Sequence, residues 1–549
     1  MTDLKQLIAT AKSWVESDFD LSTKQELTEL IAAAETDSLA AAELADRFSG
    51  PLKFGTAGLR AEVAAGESRM NRATAAKAAW GVAQWLKNNH RTKLVVGHDA
   101  RHGSAEFALD TCGIAAALGL EVIKLESPVP TPVLAFALTE LAADAGIMIT
   151  ASHNPAKDNG YKVYDHTGSQ IISPSDVEIA KLIASAPAAN KIDRSGSYRE
   201  VMMIDNYVSF VSSQALTTLN KNLKIAYTAL HGVGSITFNK LVDQIGYHQI
   251  AEVKSQQLPD PTFPTVAFPN PEEPGAMDAL LDLATAHQAD IAIANDPDAD
   301  RTAVAVPHGD GWRVLSGDEL GTLLAWWSIK RRELLNQPIT GGMAASIVSG
   351  SMIKRIASAA GLDFSATLTG FKYVSRVPEL IFGYEEAIGY SVLPNRIRDK
   401  DGISAALFAI ELVSYLKAES KSVPELLMEL YRDHGTVLTK QITLRMSTID
   451  QVGIRLAQLK TNLPTHLGDF SISRIHDFAD GIFGLPKSSG IFLELEVGRV
   501  IVRPSGTEPK LKCYIEVAGP ADGDSAQQQV KLQEVMVQFE HALTKLFAN

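Results

Sequence analysis

The 549-residue chain is 46% hydrophobic and 21% charged with a formal net charge of −13, enough apolar content for about three to five globular domains. The acidic balance excludes general affinity for nucleic acid or anionic membrane, so an anionic ligand has to be met by individually placed residues. Two cysteines, Cys112 and Cys513, are too few and too far apart for a disulfide framework or a zinc site, which suits a reducing compartment.

The start of the chain has acidic residues and no apolar h-region, so no signal peptide is expected. Apolar patches such as "LGTLLAWWSI" fall short of the roughly 20 residues that span a bilayer, and a cytoplasmic protein is expected. Residues 1 to 48 are rich in Ala, Leu, Glu and Lys at helical spacing and lack Gly, which predicts a helical lead-in. "SGPLKFGTAGLR" ends it with turn chemistry. "TKLVVGHDAR", "LEVIKLESPVPTP" and "DAGIMITASHNP" then read as short strands separated by Ala-rich helical stretches, the alternation of α/β units.

The pattern restarts at "LKIAYTALHGVGS", with strands at "ADIAIANDPD" and "TAVAVP", and again near "GGMAASIVSGS" with "ELIFGYEEAIGYSV" behind it. The end differs: "IFLELEVGRVIVRPSGTEPKLKCYIEVAG" reads as consecutive strands followed by a terminal helix, an α+β order. Three α/β domains with mixed sheets and one C-terminal α+β domain are therefore expected, bounded at 1–215, 216–322, 323–437 and 438–549.

Four loops carry candidate chemistry. Ser152, directly after the run "GIMITA" and before His153, Asn154 and Pro155, would sit at a strand's carboxyl end, where α/β sheets build ligand sites. The alternative is an ordinary turn whose Ser and Asn satisfy backbone groups. A Ser-His-Asp hydrolase fits poorly, because a neighbouring His is badly placed to take the serine's proton and no GxSxG elbow is present. Asp296, Asp298 and Asp300 in "NDPDADRTAV" repel by about 4 kcal/mol per pair at 4 Å in an effective dielectric of 20, so their convergence asks for a cation. Hard oxygen ligands indicate Mg²⁺. An EF-hand is excluded, since its sixth and twelfth positions would be Arg301 and Pro307. Asp298 to Thr302 also matches the DxDxT pattern of aspartyl-phosphate phosphatases, although Asp296 and Pro297 separate it from the strand. "RPSGTEPK", from Arg503, offers hydroxyls, backbone N–H groups and a guanidinium to an anion, or is a plain β-turn. "GYEEAIGY" pairs Glu385 with Glu386, suited to sugar hydroxyls or to a surface hairpin.

Together and in this order, the four loops resemble the α-D-phosphohexomutase superfamily, which contains phosphoglucomutases and phosphomannomutases. "GIMITASHNP" is similar to its phosphoserine signature, "DPDADR" to its metal loop, "GYEEAIGY" to its sugar loop, "RPSGTEP" to its phosphate loop, and "KFGTAGLR" to its opening motif. The resemblance spans about residues 50 to 549. It implies four domains around a central cleft, each donating a loop, with Ser152 carrying a phosphoryl group and holding Mg²⁺ together with Asp296, Asp298 and Asp300. Arg60 and Arg301 would support the phosphoryl anion. Thr369, Gly370, Glu385, Glu386 and Lys400 would face the sugar or its phosphate, and Arg503, Ser505, Gly506 and Thr507 the phosphate that is not reacting. Lys162 is the first choice for general base and His153 the second; a basic Lys162 would need a lowered pKa.

The implied activity interconverts glucose 1-phosphate and glucose 6-phosphate, with a sugar 1,6-bisphosphate as intermediate and activator. Sugar phosphates are the expected partners, with no nucleic acid or membrane, on a monomer or homodimer. Many members carry Glu-x-Ser in the sugar loop; here the third position is Ala387, so substrate choice does not carry over. The motifs look closest to the branch with phosphopentomutases and glucose 1,6-bisphosphate synthases, which keeps mannose and pentose phosphates as alternatives. A DxDxT phosphatase and a non-catalytic sugar-phosphate sensor are the readings from other classes.

Overall fold

The computed structural model describes residues 4–55, 57–505, 510–521 and 524–548. The chain divides into two compact units, Met1–Val314 with Gly389–Ser414, and Leu315–Ile388 with Tyr415–Asn549. Among the described residues no helix is long and apolar enough to cross a membrane.

The helical lead-in is present as Leu4–Ser17, Leu21–Ala34 and Ser38–Arg47. Asp20 and Asp37 cap the second and third helices by accepting from the N–H groups of Ser22 and Leu39, satisfying donors that the helix itself leaves open. Leu7, Ala11, Leu27, Ile31 and Leu44 bury their apolar faces in a small core of their own.

The first unit then builds two mixed sheets. Strands β1 (Leu59–Glu62), β2 (Lys93–His98), β3 (Glu121–Leu125), β4 (Ala145–Ile149), β5 (Asp158–Asp165) and β6 (Arg199–Val201) are ordered β1-β5-β4-β2-β3-β6, with β2 parallel to β3 and β4 and β5 antiparallel to β4. Strands β7 (Lys224–Thr228), β8 (Gln249–Glu252), β9 (Ile291–Asn295), β10 (Thr302–His308) and β11 (Gly311–Val314) are ordered β11-β10-β9-β7-β8. Strands β4 and β9 are buried along their whole length, as continuous apolar runs covered on both faces should be. In each sheet the chain steps to one side after its first inner strand and crosses back for the next. The switch points therefore lie between β2 and β4 and between β7 and β9, where open α/β sheets place ligands.

"FGTAGLR", read from sequence as a turn, also contributes strand β1. It is short and only Leu59 is fully buried, so periodicity carries little signal there. Its place is set by close backbone approach: Gly58 has φ +78°, and a Cβ there would lie 1.8 Å from the Tyr161 carbonyl oxygen. This docks β1 on β5 with Arg60 opposite Gly160.

In the second unit, β12 (Gly342–Ser346), β13 (Asp363–Thr367) and β14 (Leu380–Glu385) are parallel with β12 in the middle, repeating the same switch between β12 and β14. The short strand β15 (Gly389–Ser391) belongs to the first unit's later segment. The C-terminal sheet is antiparallel: β16 (Val437–Arg445), β17 (His466–Leu467), β18 (Phe470–Asp477), β19 (Ile491–Leu495), β20 (Gly498–Pro504) and β21 (Lys510–Ala518), ordered β16-β21-β20-β19-β18-β17. Helices Ile449–Thr461 and Ser525–Ala548 share its core through Val452, Leu456, Met536 and Phe539.

Arg499 joins the two sheets of this unit by donating to the carbonyls of Ile347 (3.1 Å) and Ser349 (2.6 Å), while Glu516 accepts from the Ser351 N–H at 2.7 Å. Beside this joint the Asp318 carboxyl accepts from the Gly350 N–H (2.6 Å) and the Tyr384 hydroxyl (2.8 Å). Burial outweighs those donors and pushes its pKa up to about 6. A carboxyl that binds its proton more tightly when folded contributes stability that is full below the unfolded value and lost as pH rises through the folded one. Between pH 4 and 7 this group should therefore lower wild-type stability by up to about 3 kcal/mol. Thermal unfolding of Asp318→Asn across that range is expected to lack this component; parallel pH profiles of the two proteins would refute it.

Candidate active site and metal centre

The loop after β4 turns sharply at Ser152, whose φ of +53° lies in the left-handed region. The loop after β9 does the same at Ala299, φ +52°. Such conformations cost L-residues roughly 1–2 kcal/mol each and persist where surrounding contacts over-determine them. Ser152 N–H donates to the Thr150 hydroxyl at 2.9 Å, and Arg301 N–H to Asp296 Oδ1 at 3.0 Å. The second loop is clamped from both sides by glycines: a Cβ on Gly232 would lie 2.3 Å from Pro297 Cα, and one on Gly402 2.3 Å from the Arg301 carbonyl oxygen.

These turns bring the two loops together. Ser152 Oγ donates to Asp296 Oδ2 at 2.8 Å, and Asp296, Asp298 and Asp300 each place a carboxylate oxygen within 4.8 Å of the others. All three are essentially without solvent contact. Lys162, pointing in from β5, donates to Asp298 Oδ2 (2.8 Å) and Asp300 Oδ2 (3.0 Å). Lys400 Nζ lies 3.2 Å from Asp300 Oδ2, and Arg301 Nε 3.7 Å from Asp300 Oδ1. Thr131, which was not singled out from sequence, donates its hydroxyl to Asp298 Oδ2 at 2.7 Å. Arg60 donates to Asn154 Oδ1 at 2.9 Å in the serine loop, and His153 Nδ1 lies 3.2 Å from Ser152 Oγ.

The environment separates these groups. Burial and the neighbouring Asp298 and Asp300 hold the Asp296 carboxyl well above the usual carboxylate range. Burial opposes ionisation of Asp300 too, but Lys162, Lys400 and Arg301 outweigh it and hold that carboxyl far below the range. For Lys162 the carboxylates overcome burial and raise its pKa, so the ammonium form is favoured and the lowered pKa expected of a base is not met in this arrangement. His153 goes the other way: burial, then Arg301 and Arg60, depress it well below an ordinary histidine, leaving a neutral imidazole.

The trio fits a divalent cation. Asp298 Oδ1 and Asp300 Oδ1 are buried without a hydrogen-bond partner, the second facing Arg301 Nε only at 3.7 Å, an expensive state for carboxylate oxygens that a bound cation would relieve.

The second unit assembles a different set. Arg503 Nη1 donates to the Thr369 hydroxyl, and Gly370 N–H to Glu385 Oε1 at 2.6 Å. Gly370 has φ +113°. The Arg503 stem crosses Gly490, where a Cβ would meet its Cγ at 2.7 Å. Glu386 is committed elsewhere: its Oε2 accepts from the hydroxyls of Ser346 and Ser349, each at 3.0 Å. The pair grouped in sequence is thus split, with Glu385 beside the Thr369–Gly370 turn and Glu386 turned to the Ser346 and Ser349 hydroxyls. Ser505 N–H closes on the Lys510 carbonyl at 2.8 Å; Gly506 and Thr507 lie outside the described residues.

Models of the phosphoglucomutase/phosphomannomutase family match along the chain: alpha/beta/alpha domain I at residues 51–190, domain II at 205–309, domain III at 316–434 and the C-terminal domain at 489–533. The chain is 40% identical over 466 residues to the Haemophilus influenzae protein named "Probable phosphomannomutase", covering 83% of this chain and 95% of that one. It is 35% identical over 583 residues to the human phosphopentomutase, covering 95% and 93%. A solved phosphoglucomutase/phosphomannomutase family protein from Burkholderia thailandensis shares the fold with a TM-score of 0.66 at 21% identity, covering 89% of this chain and 96% of that one. The chain belongs to the phosphoglucomutase/phosphomannomutase family.

Titration with Mn²⁺, followed by the spin resonance of the free ion, is expected to show binding at the carboxylate trio. Asp298→Asn should weaken it at least about tenfold, about 1.4 kcal/mol. Equal affinity in the two proteins would remove the trio as a metal centre.

Proposed function

We propose that this family member is a phosphosugar mutase that interconverts glucose 1-phosphate and glucose 6-phosphate through a phosphoserine at Ser152 and a bisphosphorylated sugar. The observation that carries this reading is the Ser152 hydroxyl donating at 2.8 Å to Asp296 within a buried carboxylate trio. A turn serine without chemistry has no need of that company. The family model's description supports glucose or mannose phosphate as substrate. The likeness to human phosphopentomutase over 95% of the chain favours pentose phosphate as the second reading.

In this proposal Ser152 donates its phosphoryl group to the free hydroxyl of a sugar monophosphate: the serine O–P bond breaks, a sugar O–P bond forms, and the hydroxyl proton passes to a base. The bisphosphate then turns over and returns its other phosphate to Ser152. Asp296, Asp298 and Asp300 would hold Mg²⁺ with the phosphoserine, and the bound ion would neutralise charge on the phosphoryl oxygens. Arg60, Arg301 and Lys400 supply fixed positive charge on the chain's side. Lys162 and His153 are the two groups placed to serve as base: Lys162 can accept a proton only once its hold by Asp298 and Asp300 relaxes, and the burial that keeps the His153 imidazole neutral also makes it a weak base. Glu385, Thr369 and Arg503 bind the sugar and its distal phosphate, and Glu386 braces that loop from behind. A sugar 1,6-bisphosphate primes Ser152, and the enzyme works in the cytoplasm.

The DxDxT phosphatase is disfavoured because Asp298 is already engaged by Lys162 and Thr131. Ser152→Ala is expected to lower mutase turnover by at least about 10³-fold, the scale of losing a covalent nucleophile, with an unchanged unfolding midpoint. Intact mass should show one phosphoryl group on the wild type after exposure to glucose 1,6-bisphosphate and none on the variant. Undiminished turnover would sink the mutase; phosphate release that depends on Asp298 and ignores Ser152 would establish the phosphatase. Comparing kcat/KM on glucose, mannose, ribose and deoxyribose 1-phosphates decides the substrate.

A further inference from the structure

Arg101 lies in the loop just past β2, the strand that pairs with β4 at the first switch point, and only 4% of its surface is exposed. Its guanidinium collects the carbonyl oxygens of the serine loop: Nη2 donates to Ser152 and Asn154, both at 2.6 Å, and Nη1 to Pro155 at 2.7 Å and Asp158 at 3.1 Å. Two acceptors to each terminal nitrogen leave no donor there for a phosphate. Nε faces Asp99 Oδ2 at 3.4 Å, and Asp99 Oδ1 accepts from the Arg101 N–H (3.0 Å) and the Ser104 hydroxyl (2.6 Å). The other face of the cation stacks on Phe263, 4.9 Å from the ring centroid.

We propose that Arg101 is the positioning residue that holds the Ser152 loop in its reactive shape, setting the serine oxygen for transfer without touching the substrate. This rests on the mutase reading of Ser152. With its carbonyl drawn onto a fixed cation, Ser152 keeps the left-handed backbone that aims its hydroxyl at Asp296. Asn154, also gripped through its carbonyl, presents its side chain to Arg60. The match depends on a planar fork reaching several acceptors at once; a lysine presents one point charge and cannot span them. Phe263, from the Pro-rich segment between β8 and β9, limits how far the cation can withdraw, so a remote loop of the second sheet sets the stiffness of the serine turn.

Two readouts test this on the full-length protein. Hydrogen–deuterium exchange of residues 151–158 reads the loop directly, whether or not the wild type turns over sugar phosphates. Arg101→Lys is expected to speed exchange there while peptides of β7 and β9 stay unchanged. In steady state the variant should lose kcat by about 100-fold, the scale of an ångström's misplacement at a reacting atom, with KM changed by less than about threefold, because the groups that bind the sugar are left intact. Phe263→Leu, which keeps every hydrogen bond of the guanidinium, should give the same pattern in weaker form and serves if Arg101→Lys fails to fold. Unchanged loop exchange in a folded variant overturns the proposal, as does a faster-exchanging loop with undiminished kcat or a loss confined to KM. A wild type that takes no phosphate on Ser152 sinks the mutase reading instead, and the exchange measurement still decides whether Arg101 shapes the loop.

Discussion

The first unit is organised around buried charge that has to balance. Three carboxylates converge without solvent at the end of β9; Arg301 comes from their own loop, and Lys162 and Lys400 are brought to them from two distant places in the chain. Removing one partner from a buried ion pair typically costs about 3–5 kcal/mol, because the charge left behind is uncompensated. Such a cluster is therefore a poor way to gain stability and a strong way to fix geometry. Strand β5 must deliver Lys162 and the segment after β15 must deliver Lys400. Tyr164 and Gln170 hold Asp399, the residue before that lysine, at 2.7 and 2.9 Å, and Tyr207 holds Asp401, the residue after it, at 2.7 Å.

The fold supplies the location of this cluster by using one topological device three times. The Ser152 loop, the Asp296–Asp300 loop and the Glu385–Glu386 loop follow β4, β9 and β14, each the strand reached after the chain crosses back over its own sheet. At such a point neighbouring loops diverge and leave backbone and side chains facing an open crevice. What occupies the opposite lip is also consistent: Arg101 after β2, the Gly232 turn after β7, and Ser349 after β12 each lock onto the functional loop across from them.

The sequence made the strands, the order of domain types and most reactive residues legible, because buried strands are continuous apolar runs and the carboxylate trio is local. It was weaker where meaning is set by a distant partner. Arg101 sat in plain view in "GHDAR", but its donors are used on carbonyls of residues 152–158, which have no side-chain signature. The signal available was positional: a charged residue just past a strand that flanks the serine strand. Thr131 lay hidden for the same reason, since only the folded chain brings it to Asp298. Strand β1 escaped because its pairing is fixed by two glycines meeting backbone, not by hydrophobic alternation.

The residues that sequence presents as equivalents are driven apart by their surroundings. Asp296 and Asp300 share a loop, yet burial and the neighbouring carboxylates push one carboxyl toward its neutral form, while three cations outweigh burial at the other and hold its pKa far below the usual range. Lys162 and His153 are candidates for one role, yet burial opposed and outweighed by Asp298 and Asp300 raises the lysine's pKa, while burial, then Arg301 and Arg60, lowers the histidine's. Glu385 and Glu386 are adjacent, but only the second is closed into a pair of serine hydroxyls, with burial raising its pKa. Opposed protonation states within a small space are what acid–base and phosphoryl chemistry need near neutral pH. Here they arise from no unusual residue. Which neighbour has been desolvated, and which cation reaches it, decides the role of each member of a pair.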